Sequence, residues 1–291
     1  MLQFLTYLFI AIYTATVIGI ILVVILGNRN PLKTIPWVVV LIFAPVVGLV
    51  FYFFFGQDLR RKRIISRRTY KRLMVYALPA HVRRSDAPVP AACQSLSTLL
   101  TNTSQAVSFY GSRLTHYGDG ASKMTALLEE IEKARDHIHI LYYIFCDDET
   151  GARLQQALIR KAKEGVKVRV LYDDVGCNGV KKEFFQQMRD AGAEVHALLH
   201  VRFPMLTDRV NYRNHRKIVV IDGRIAYTGG VNLADEYINA EQRFGYWKDA
   251  ALRIEGDAAW NFTVMFLNFW NAFRPSETDY SAFRPQHSAH P

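Results

Sequence analysis

The amino-acid sequence predicts an α/β domain that follows two apolar helices. From about His116 onward, segments with apolar residues at helical spacing alternate with short runs of β-branched and aromatic residues. This alternation is typical of an α/β layer architecture. Before it, residues 1–28 and 34–57 contain no charged side chain, and a short polar segment separates these two runs.

The individual elements follow from the apolar period and from glycine stop signals. Gly165 and Gly192 each follow an apolar helical stripe, where glycine commonly ends a helix. We expect helices near residues 124–131, 154–162, 181–191 and 257–273, and strands near residues 137–145, 166–172, 193–199, 216–221, 224–228 and 252–254.

The two charge-free runs predict a transmembrane hairpin. Each run can hold about 20 helical residues, which is the length that a hydrocarbon core requires. A cleavable signal peptide is the alternative for the first run. The run lacks a basic start and a second apolar run follows almost at once, so two membrane spans fit better.

The positive charge of the chain is concentrated after the second run. Residues 57–84 contain ten basic residues and one acid, a net charge of +9, and Arg29 and Lys33 add two. The whole chain carries +10, so the residues from Ser85 onward sum to −1. Basic loops stay on the cytoplasmic side, which predicts a cytoplasmic α/β domain. The basic segment would also attract anionic lipid headgroups.

These observations divide the chain into four expected regions. Residues 1–56 form the membrane anchor, residues 57–115 a basic juxtamembrane segment and linker, residues 116–274 the α/β domain, and residues 275–291 a disordered tail.

A predicted hairpin centred on Asp222 and Gly223 carries the polar residues of interest. Two β-rich runs joined by Asp-Gly are typical of a two-residue hairpin turn. Such a turn fixes the register of the two strands. The expected cross-strand pairs are Ile221–Arg224, Lys217–Thr228, His215–Gly230 and Arg213–Asn232.

In this register His215, Lys217 and Asn232 share one face, and Gly230 leaves space opposite the imidazole. An imidazole can attack phosphorus, while an ammonium and an amide can bind the nonbridging oxygens. The arrangement therefore predicts a phosphate site with His215 as nucleophile. Asp222 does not lie on this face. We expect it to form the turn and to have an orienting or structural role, which we favour over a direct chemical role.

The spacing His-x-Lys-x4-Asp from His215 to Asp222, followed by Gly-Gly-x-Asn ending at Asn232, resembles the signature of the phospholipase D superfamily. Further segments resemble bacterial cardiolipin synthases, namely residues 53–57, 117–120, 172–176, 211–217 and 244–249. The resemblance covers nearly the whole chain. It implies a phospholipase D-like mixed-sheet sandwich with helices on both faces, preceded by the transmembrane hairpin.

The resemblance also implies a reaction and a location. His215 would attack one phosphatidylglycerol and form a phosphohistidine, glycerol would leave, and a second phosphatidylglycerol would accept the phosphatidyl group to give cardiolipin. Lys217 and Asn232 would stabilise the charge, so no metal or other cofactor is expected. The enzyme would lie in the bacterial inner membrane with its catalytic part in the cytoplasm.

The sequence departs from the family pattern at two points. Relatives carry two such motifs, and this sequence contains one. We therefore expect a homodimer, a second phospholipase D-like half, or an inactive or partner-dependent fragment. The apolar helix around Trp270 is expected to be an exposed patch that invites this partner. Many relatives also have an acidic residue where Leu141 stands.

Several other polar residues have structural interpretations. His196 and His200 lack the pattern of a zinc site. For Asp173 and Asp174, hydrogen bonds that fix the following loop are favoured over a magnesium site.

Two further sets of residues are also interpreted as structural. Residues 147–149 are expected to cap a helix. Cys93, Cys146 and Cys177 lack metal-type spacing and are interpreted as reduced thiols.

A nuclease of the same superfamily is the alternative from another reaction class. A single-motif nuclease works as a homodimer and needs a basic groove for phosphates. The near-neutral charge after Ser85 and the two apolar runs favour a lipid substrate over nucleic acid. A non-catalytic membrane partner of another synthase remains the third hypothesis.

Overall fold

The computed structural model describes most of the α/β domain and parts of the N-terminal region. It describes residues 2–26, 31–44, 47–48, 51–52, 89–104, 106, 108–109, 111–200, 213–241, 243, 245–274 and 279–285. The chain divides into two units, of which one comprises residues 1–63 and 202–212 and the other residues 64–201 and 213–291. The basic segment 57–84 lies outside the described residues.

In the first unit the structure describes two apolar helices, α1 (Leu2–Leu26) and α2 (Pro31–Phe43). Backbone hydrogen bonds from Ala44 N to Val40 O and from Gly48 N to Ala44 O continue the helical pattern beyond α2. Within the described part of the chain, no helix combines the length and apolarity required to cross a membrane. The two predicted helices are therefore present, and their membrane crossing stays a prediction.

The second unit is built on one seven-stranded mixed sheet. The strand order is β1-β7-β6-β5-β2-β3-β4. The strands are β1 (Arg113–Tyr117), β2 (His137–Tyr142), β3 (Lys167–Asp173), β4 (Glu194–Leu198), β5 (Ile218–Ile221), β6 (Ile225–Gly229) and β7 (Ala251–Glu255). The helices are α3 (Gln94–Ser104), α4 (Gly120–Lys133), α5 (Glu149–Lys163), α6 (Lys182–Asp190) and α7 (Ala259–Phe273).

The central strand β2 joins a parallel half of the sheet to an antiparallel half. β2, β3 and β4 pair in parallel, because helices α5 and α6 return the chain to the same edge. On its other side β2 pairs with β5 in the antiparallel sense, and β6, β7 and β1 continue that pattern. The predicted mixed sheet is confirmed.

One face of the sheet is covered by α4, α5 and α6. Ile138 and Ile140 of β2 point to this face and pack with Leu127, Leu158 and Phe185 of the three helices. All five side chains are at most 4% exposed. The helical stripes predicted from the sequence therefore form the larger core.

The opposite face is covered by α7, which corrects its predicted role as an exposed patch. Val264, Phe266, Leu267 and Trp270 of this helix are at most 1% exposed. They pack with strand residues of the other sheet face, including Leu141. A central strand buried on both faces requires a covering layer on each side, and α7 supplies the second layer within the described residues.

Helix ends follow the predicted signals. The carboxylate of Asp148 accepts a hydrogen bond from Gly151 N at 2.9 Å, which confirms the N-terminal cap of α5. Gly165 and Gly192 have φ of +92° and +98° after α5 and α6, and glycine adopts this left-handed conformation without steric cost.

The sequence prediction missed elements in the two regions expected to be irregular. Helix α3 forms within the segment 57–115, which was expected to be a linker, and strand β1 begins within it. A 3-10 turn at Tyr280–Phe283 lies in the expected disordered tail. Tyr280 and Phe283 are 3% and 4% exposed because they pack in the core under α7, and burial of two aromatic rings orders this part of the tail.

The burial of α7 predicts unequal costs for two phenylalanine truncations in that helix. Phe266 is fully buried and its ring stacks 4.5 Å from that of His139, whereas Phe273 is 36% exposed. Phe266→Ala should lower the free energy of unfolding by about 3–5 kcal/mol. The matched control Phe273→Ala should lower it by less than about 1 kcal/mol. Urea titration in detergent measures both, and equal losses would contradict the core position of α7.

Candidate functional site

The β5–β6 hairpin has a three-residue loop, which corrects the predicted register by one residue. Ile221 pairs with Ile225, and Ile218 pairs with Thr228. The loop begins with two residues of positive φ, Asp222 at +50° and Gly223 at +64°, and Arg224 N donates to Ile221 O at 3.1 Å, as in the predicted turn. The strand pairing nevertheless resumes one residue later, at Ile225. The expected pairs of Lys217 with Thr228 and of His215 with Gly230 are therefore wrong.

Asp222 ties the hairpin loop to the start of β2. Its carboxylate accepts hydrogen bonds from the backbone N–H groups of Arg135 at 3.0 Å, Asp136 at 2.9 Å and His137 at 3.0 Å. Its own N–H donates to His137 O at 2.9 Å. The geometry of Asp222 is that of a structural and orienting residue.

A buried ion pair fixes the backbone just before the histidine. The guanidinium of Arg213 donates from Nε and Nη2 to the carboxylate of Asp173, at 2.7–3.0 Å, and from Nη1 to Leu199 O at 2.9 Å. The two side chains are 3% and 1% exposed. A bidentate pair with further hydrogen bonds offsets the cost of burying two charges.

The same carboxylate shapes the loop after β3. Asp173 Oδ1 accepts from Val175 N and Gly176 N, both at 3.0 Å, which confirms that Asp173 fixes the loop. A Cβ at Gly176 would collide with Tyr143 O. The loop therefore lies directly against the end of β2.

The imidazole of His215 is exposed and lies flat on the ring of Tyr143. The ring centroids are 4.1 Å apart and the planes differ by 16°. Tyr143 follows β2 directly, so the sheet positions the imidazole through this stack. An exposed imidazole whose ring plane is fixed can be approached by a ligand from the solvent side.

The ammonium of Lys217 lies on the same tyrosine ring. Its Nζ is 5.9 Å from the Tyr143 centroid and donates to His215 O at 3.0 Å. Partial burial lowers the pKa of Lys217 below its ordinary 10.5, and the carboxylate of Asp249 opposes this shift. His215 and Lys217 are thus brought together by one aromatic ring.

Asn232 joins the same region through the residue after that tyrosine. Its Oδ1 accepts from Ile144 N at 3.3 Å, and its side chain also hydrogen-bonds to the Tyr237 hydroxyl. Asn232 is 4% exposed, so its amide is buried beside the end of β2. Each of the three predicted residues therefore contacts Tyr143 or Ile144 at the end of β2.

The space at Gly230 is occupied, which corrects the prediction of a vacant position. A Cβ at Gly230 would collide with the carboxylate of Asp249. The segment that carries Asp249 is held by Asn239, whose side chain accepts from Trp247 N at 2.6 Å and donates to Trp247 O at 3.1 Å. Glycine at position 230 thus admits an acid next to the ammonium of Lys217.

Sequence reasoning missed Tyr143 and Asp249 as parts of the site. Asp249 lies in one of the segments that carried the family resemblance, and Tyr143 lies near the end of the strand predicted at residues 137–145. Strand position could have indicated Tyr143, because ligand sites often lie at the ends of strands. Leu141 is fully buried against α7 and has no direct place in the site.

The remaining polar residues make structural contacts. His200 Nδ1 lies 3.0 Å from Asp174 Oδ2, and the ring of His196 lies 5.3 Å from that of Trp270. In the described part of the chain, no group of three or more His, Cys, Asp or Glu side chains could hold a metal ion.

Two family models match this chain. Residues 127–250 match the family described as cardiolipin synthase, PLD-like domain, and residues 14–57 match the family described as phospholipase D-nuclease N-terminal. The first match includes every residue of the site described above.

Curated relatives match over most of the chain. The cardiolipin synthase of Listeria monocytogenes is 35% identical over 287 residues, which is 96% of this chain and 60% of that protein. The major cardiolipin synthase of Bacillus subtilis is 37% identical over 259 residues, 86% of this chain and 54% of that protein. The chain thus spans somewhat more than half the length of these relatives.

Among solved structures, the phospholipase D family member Nuc from Salmonella typhimurium matches with a TM-score of 0.42 and 19% identity. The match covers 55% of this chain and 94% of that one.

The mixed sheet with helices on both faces, and the His-x-Lys-x4-Asp motif beside Gly-Gly-x-Asn, define a phospholipase D-like protein. The family-model match and the sequence identity to curated relatives identify the family within this class. The chain belongs to the bacterial cardiolipin synthases of the phospholipase D superfamily.

The contacts of Asp222 predict that its role is structural. Asp222→Ala removes the acceptor of three backbone N–H groups and places Ala at positive φ, and should lower the free energy of unfolding by about 2–3 kcal/mol. Asp222→Asn keeps one acceptor oxygen and tolerates positive φ, and should cost about 1 kcal/mol or less. Urea titration measures both. A stable Asp222→Asn variant without enzymatic turnover would instead assign this carboxylate a chemical role.

Proposed function

We propose that this chain carries the phosphatidyl-transfer site of a cardiolipin synthase. The observation that supports it most directly is the exposed imidazole of His215, fixed on Tyr143 beside the ammonium of Lys217, with the amide of Asn232 held by the next residue, Ile144. The curated relatives named as cardiolipin synthases support the choice of substrate. The substrate class is phosphatidylglycerol, and nucleic acid is not the expected ligand.

In the first step a ring nitrogen of His215 attacks the phosphorus of one phosphatidylglycerol. The nitrogen–phosphorus bond forms as the bond from phosphorus to the headgroup glycerol oxygen breaks. A proton from a general acid reaches that oxygen, and free glycerol leaves. The enzyme then holds the phosphatidyl group as a phosphohistidine.

In the second step a headgroup hydroxyl of another phosphatidylglycerol attacks the same phosphorus. The new oxygen–phosphorus bond replaces the bond to nitrogen, the hydroxyl proton passes to the general base, and His215 is regenerated. The product is cardiolipin. The reaction exchanges one phosphodiester for another and needs neither a redox cofactor nor a metal.

The neighbouring residues have distinct proposed roles. Lys217 binds the nonbridging oxygens of the phosphate as a point charge, and the Asn232 amide nitrogen donates a hydrogen bond to the same phosphate group. Gly230 keeps this side open to the carboxylate of Asp249, which favours the charged form of Lys217. Asp222 orients the segment that carries His215 by holding the hairpin to β2.

The general acid and base are proposed to come from a second motif. The sequence given contains one His-x-Lys-x4-Asp motif, and the proton transfers described above need a second titratable group at the phosphate. A second copy of this chain or another phospholipase D-like half would supply it. If neither assembles with the chain, the chain is inactive or dependent on a partner.

The membrane arrangement is also part of the proposal. Helices α1 and α2 would belong to a two-helix hairpin in residues 1–56, and residues 57–115 would link it to the catalytic region at 116–274. The basic residues at 57–84 support a cytoplasmic orientation in the bacterial inner membrane, because excess Lys and Arg are retained on that side.

Replacing the nucleophile should abolish phosphatidyl transfer without unfolding the chain. His215→Ala should reduce cardiolipin formation from phosphatidylglycerol in detergent by at least about 10³-fold, because no covalent intermediate can form. The matched control His116→Ala removes another exposed imidazole, on β1, and should retain activity. Product is measured by lipid mass spectrometry.

Detection of the proposed phosphohistidine intermediate is an independent test of the nucleophile. Intact-mass analysis after acid-free quenching should show the phosphatidyl adduct on the parent chain and not on His215→Ala. Equal cardiolipin formation by both chains would contradict the assigned nucleophile. Cleavage of DNA without turnover of lipid would favour the nuclease hypothesis, and no product from either chain would favour a partner-dependent fragment.

The lowered pKa of Lys217 predicts an alkaline limit to activity. The ammonium is the active form, so transfer should decline as pH rises through a pKa below the ordinary 10.5. Lys217→Arg keeps the charge at all accessible pH values and should move this limit upward, although Arg reaches the phosphate with a different geometry. The pH profile of kcat/KM measures the shift. An unchanged alkaline limit would assign it to another group.

A further inference from the structure

Helix α3 exposes an apolar stripe, and the helix itself contains no charged residue. Leu96, Leu99 and Leu100 follow the i, i+3, i+4 spacing of one helix face, and they are 57%, 57% and 44% exposed. The helix has no buried residue. Isolated exposed leucines are ordinary on a protein surface, but three on one face form a patch.

The other side of α3 is polar but uncharged. Thr98 and Thr101 face away from the leucine stripe by helical geometry. The Thr101 hydroxyl donates to Ala106 O at 3.0 Å, so part of the hydrogen-bonding capacity of this side is used within the chain. Because its side chains are hydroxyls and amides, the helix itself has no electrostatic attraction to charged lipid headgroups.

The absence of charge extends well beyond the helix. Residues 87–112 contain no Asp, Glu, Lys or Arg, although 21% of the whole chain is charged, which would place about five such residues in a segment of this length. Water-exposed surfaces are normally rich in charge. Amphipathic helices with large apolar side chains on one face and polar side chains on the other can lie in a membrane interface, and sensors of lipid packing are one class of such helices.

The size of the stripe argues against a second copy of the chain as its occupant. The exposed leucine surface is on the order of 300 Å², whereas a stable interface buries roughly 800 Å² on each partner. A lipid interface sets no such minimum area, because each side chain inserts on its own.

The charge that the helix lacks is supplied by its neighbour in sequence. The segment 57–84, with a net charge of +9, ends ten residues before the helix begins. Basic residues next to a membrane are attracted to anionic headgroups by about 1 kcal/mol each. This attraction would hold α3 near the bilayer, and the leucines would then add contact with the acyl chains.

We propose that α3 lies in the interfacial layer of an anionic lipid bilayer, with Leu96, Leu99 and Leu100 inserted where the lipids are loosely packed. The hydroxyl side faces water. Because the helix itself is uncharged, it responds to packing defects between lipids and not to their charge. This proposal concerns a surface outside the His215 site and does not depend on the chemistry there.

The chain offers a matched pair of positions for a fluorescent label. In a Cys93→Ser background, Leu99→Cys places a thiol on the stripe and Thr98→Cys places one on the opposite side of the same turn. The remaining thiols react slowly, because burial raises the pKa of Cys146 to about 11 and that of Cys177 to about 12. The full chain is labelled and reconstituted into vesicles of monounsaturated phosphatidylglycerol and phosphatidylethanolamine.

Quenching by lipids brominated in the acyl chain reports contact with the hydrocarbon. The label at position 99 should be quenched at least about threefold more than the label at position 98, as expected for an interfacial helix. Equal quenching at both positions would overturn the proposal. A label at position 99 that is shielded from water but not quenched by lipid would also overturn it, and would indicate a protein occupant.

Two further conditions test the packing preference. Raising the salt concentration from about 0.1 to 1 M should reduce the quenching at position 99 only in part, because screening weakens the attraction of the basic segment but does not act on inserted leucines. Saturated, tightly packed lipids of the same headgroups should reduce the quenching strongly at either salt concentration. Complete loss of quenching with salt, together with indifference to lipid packing, would contradict the inserted stripe.

The same measurement in a His215→Ala background separates this proposal from the catalytic one. Quenching at position 99 should be the same with and without the imidazole. A parent chain that is inactive but shows normal quenching would count against the proposed function alone, and an active parent chain without quenching would count against the interfacial helix alone.

Discussion

The antiparallel pairing of β5 with β2 is the constraint on which the site depends. At one end of the pair, Asp222 holds three N–H groups at the start of β2. At the other end, the chain leaving β2 supports His215 through Tyr143 and Asn232 through Ile144. Because β2 is an interior strand of the sheet and is buried on both faces, the imidazole and the amide are positioned by a strand that the core holds in place.

The charges of the site are arranged at two depths. Arg213 and Asp173 are fully buried and paired with each other, and they set the backbone without facing a ligand. Lys217 is only partly buried, and Asp249 lies close enough to influence its charge. A partly desolvated ammonium interacts more strongly with a phosphate than one in bulk water. The buried pair of Arg213 and Asp173 therefore fixes the position of the backbone, while Lys217 and Asp249 determine the electrostatic potential at the surface of the site.

Much of the fold could be predicted because its signals are local. Helical periods, glycine stops and the Asp-Gly turn located α4 to α6 and the strands β2 to β7 to within a few residues. The register of the hairpin could not be predicted, since one extra loop residue shifts every pair and local chemistry permits both loop lengths. The position of α7 depended on long-range packing. Of the site, the motif gave His215, Lys217 and Asn232, but Tyr143 and Asp249 enter only through tertiary contacts.

The clamp between Arg213 and Asp173 fixes one point of the backbone two residues before His215. The guanidinium is held by the carboxylate of Asp173, at the end of β3, and by the carbonyl of Leu199, just after β4. A change of side-chain length at either member of the ion pair would therefore displace the start of the His215 segment relative to the parallel strands. The parallel strands thus influence the imidazole from a distance, through the backbone that this ion pair holds.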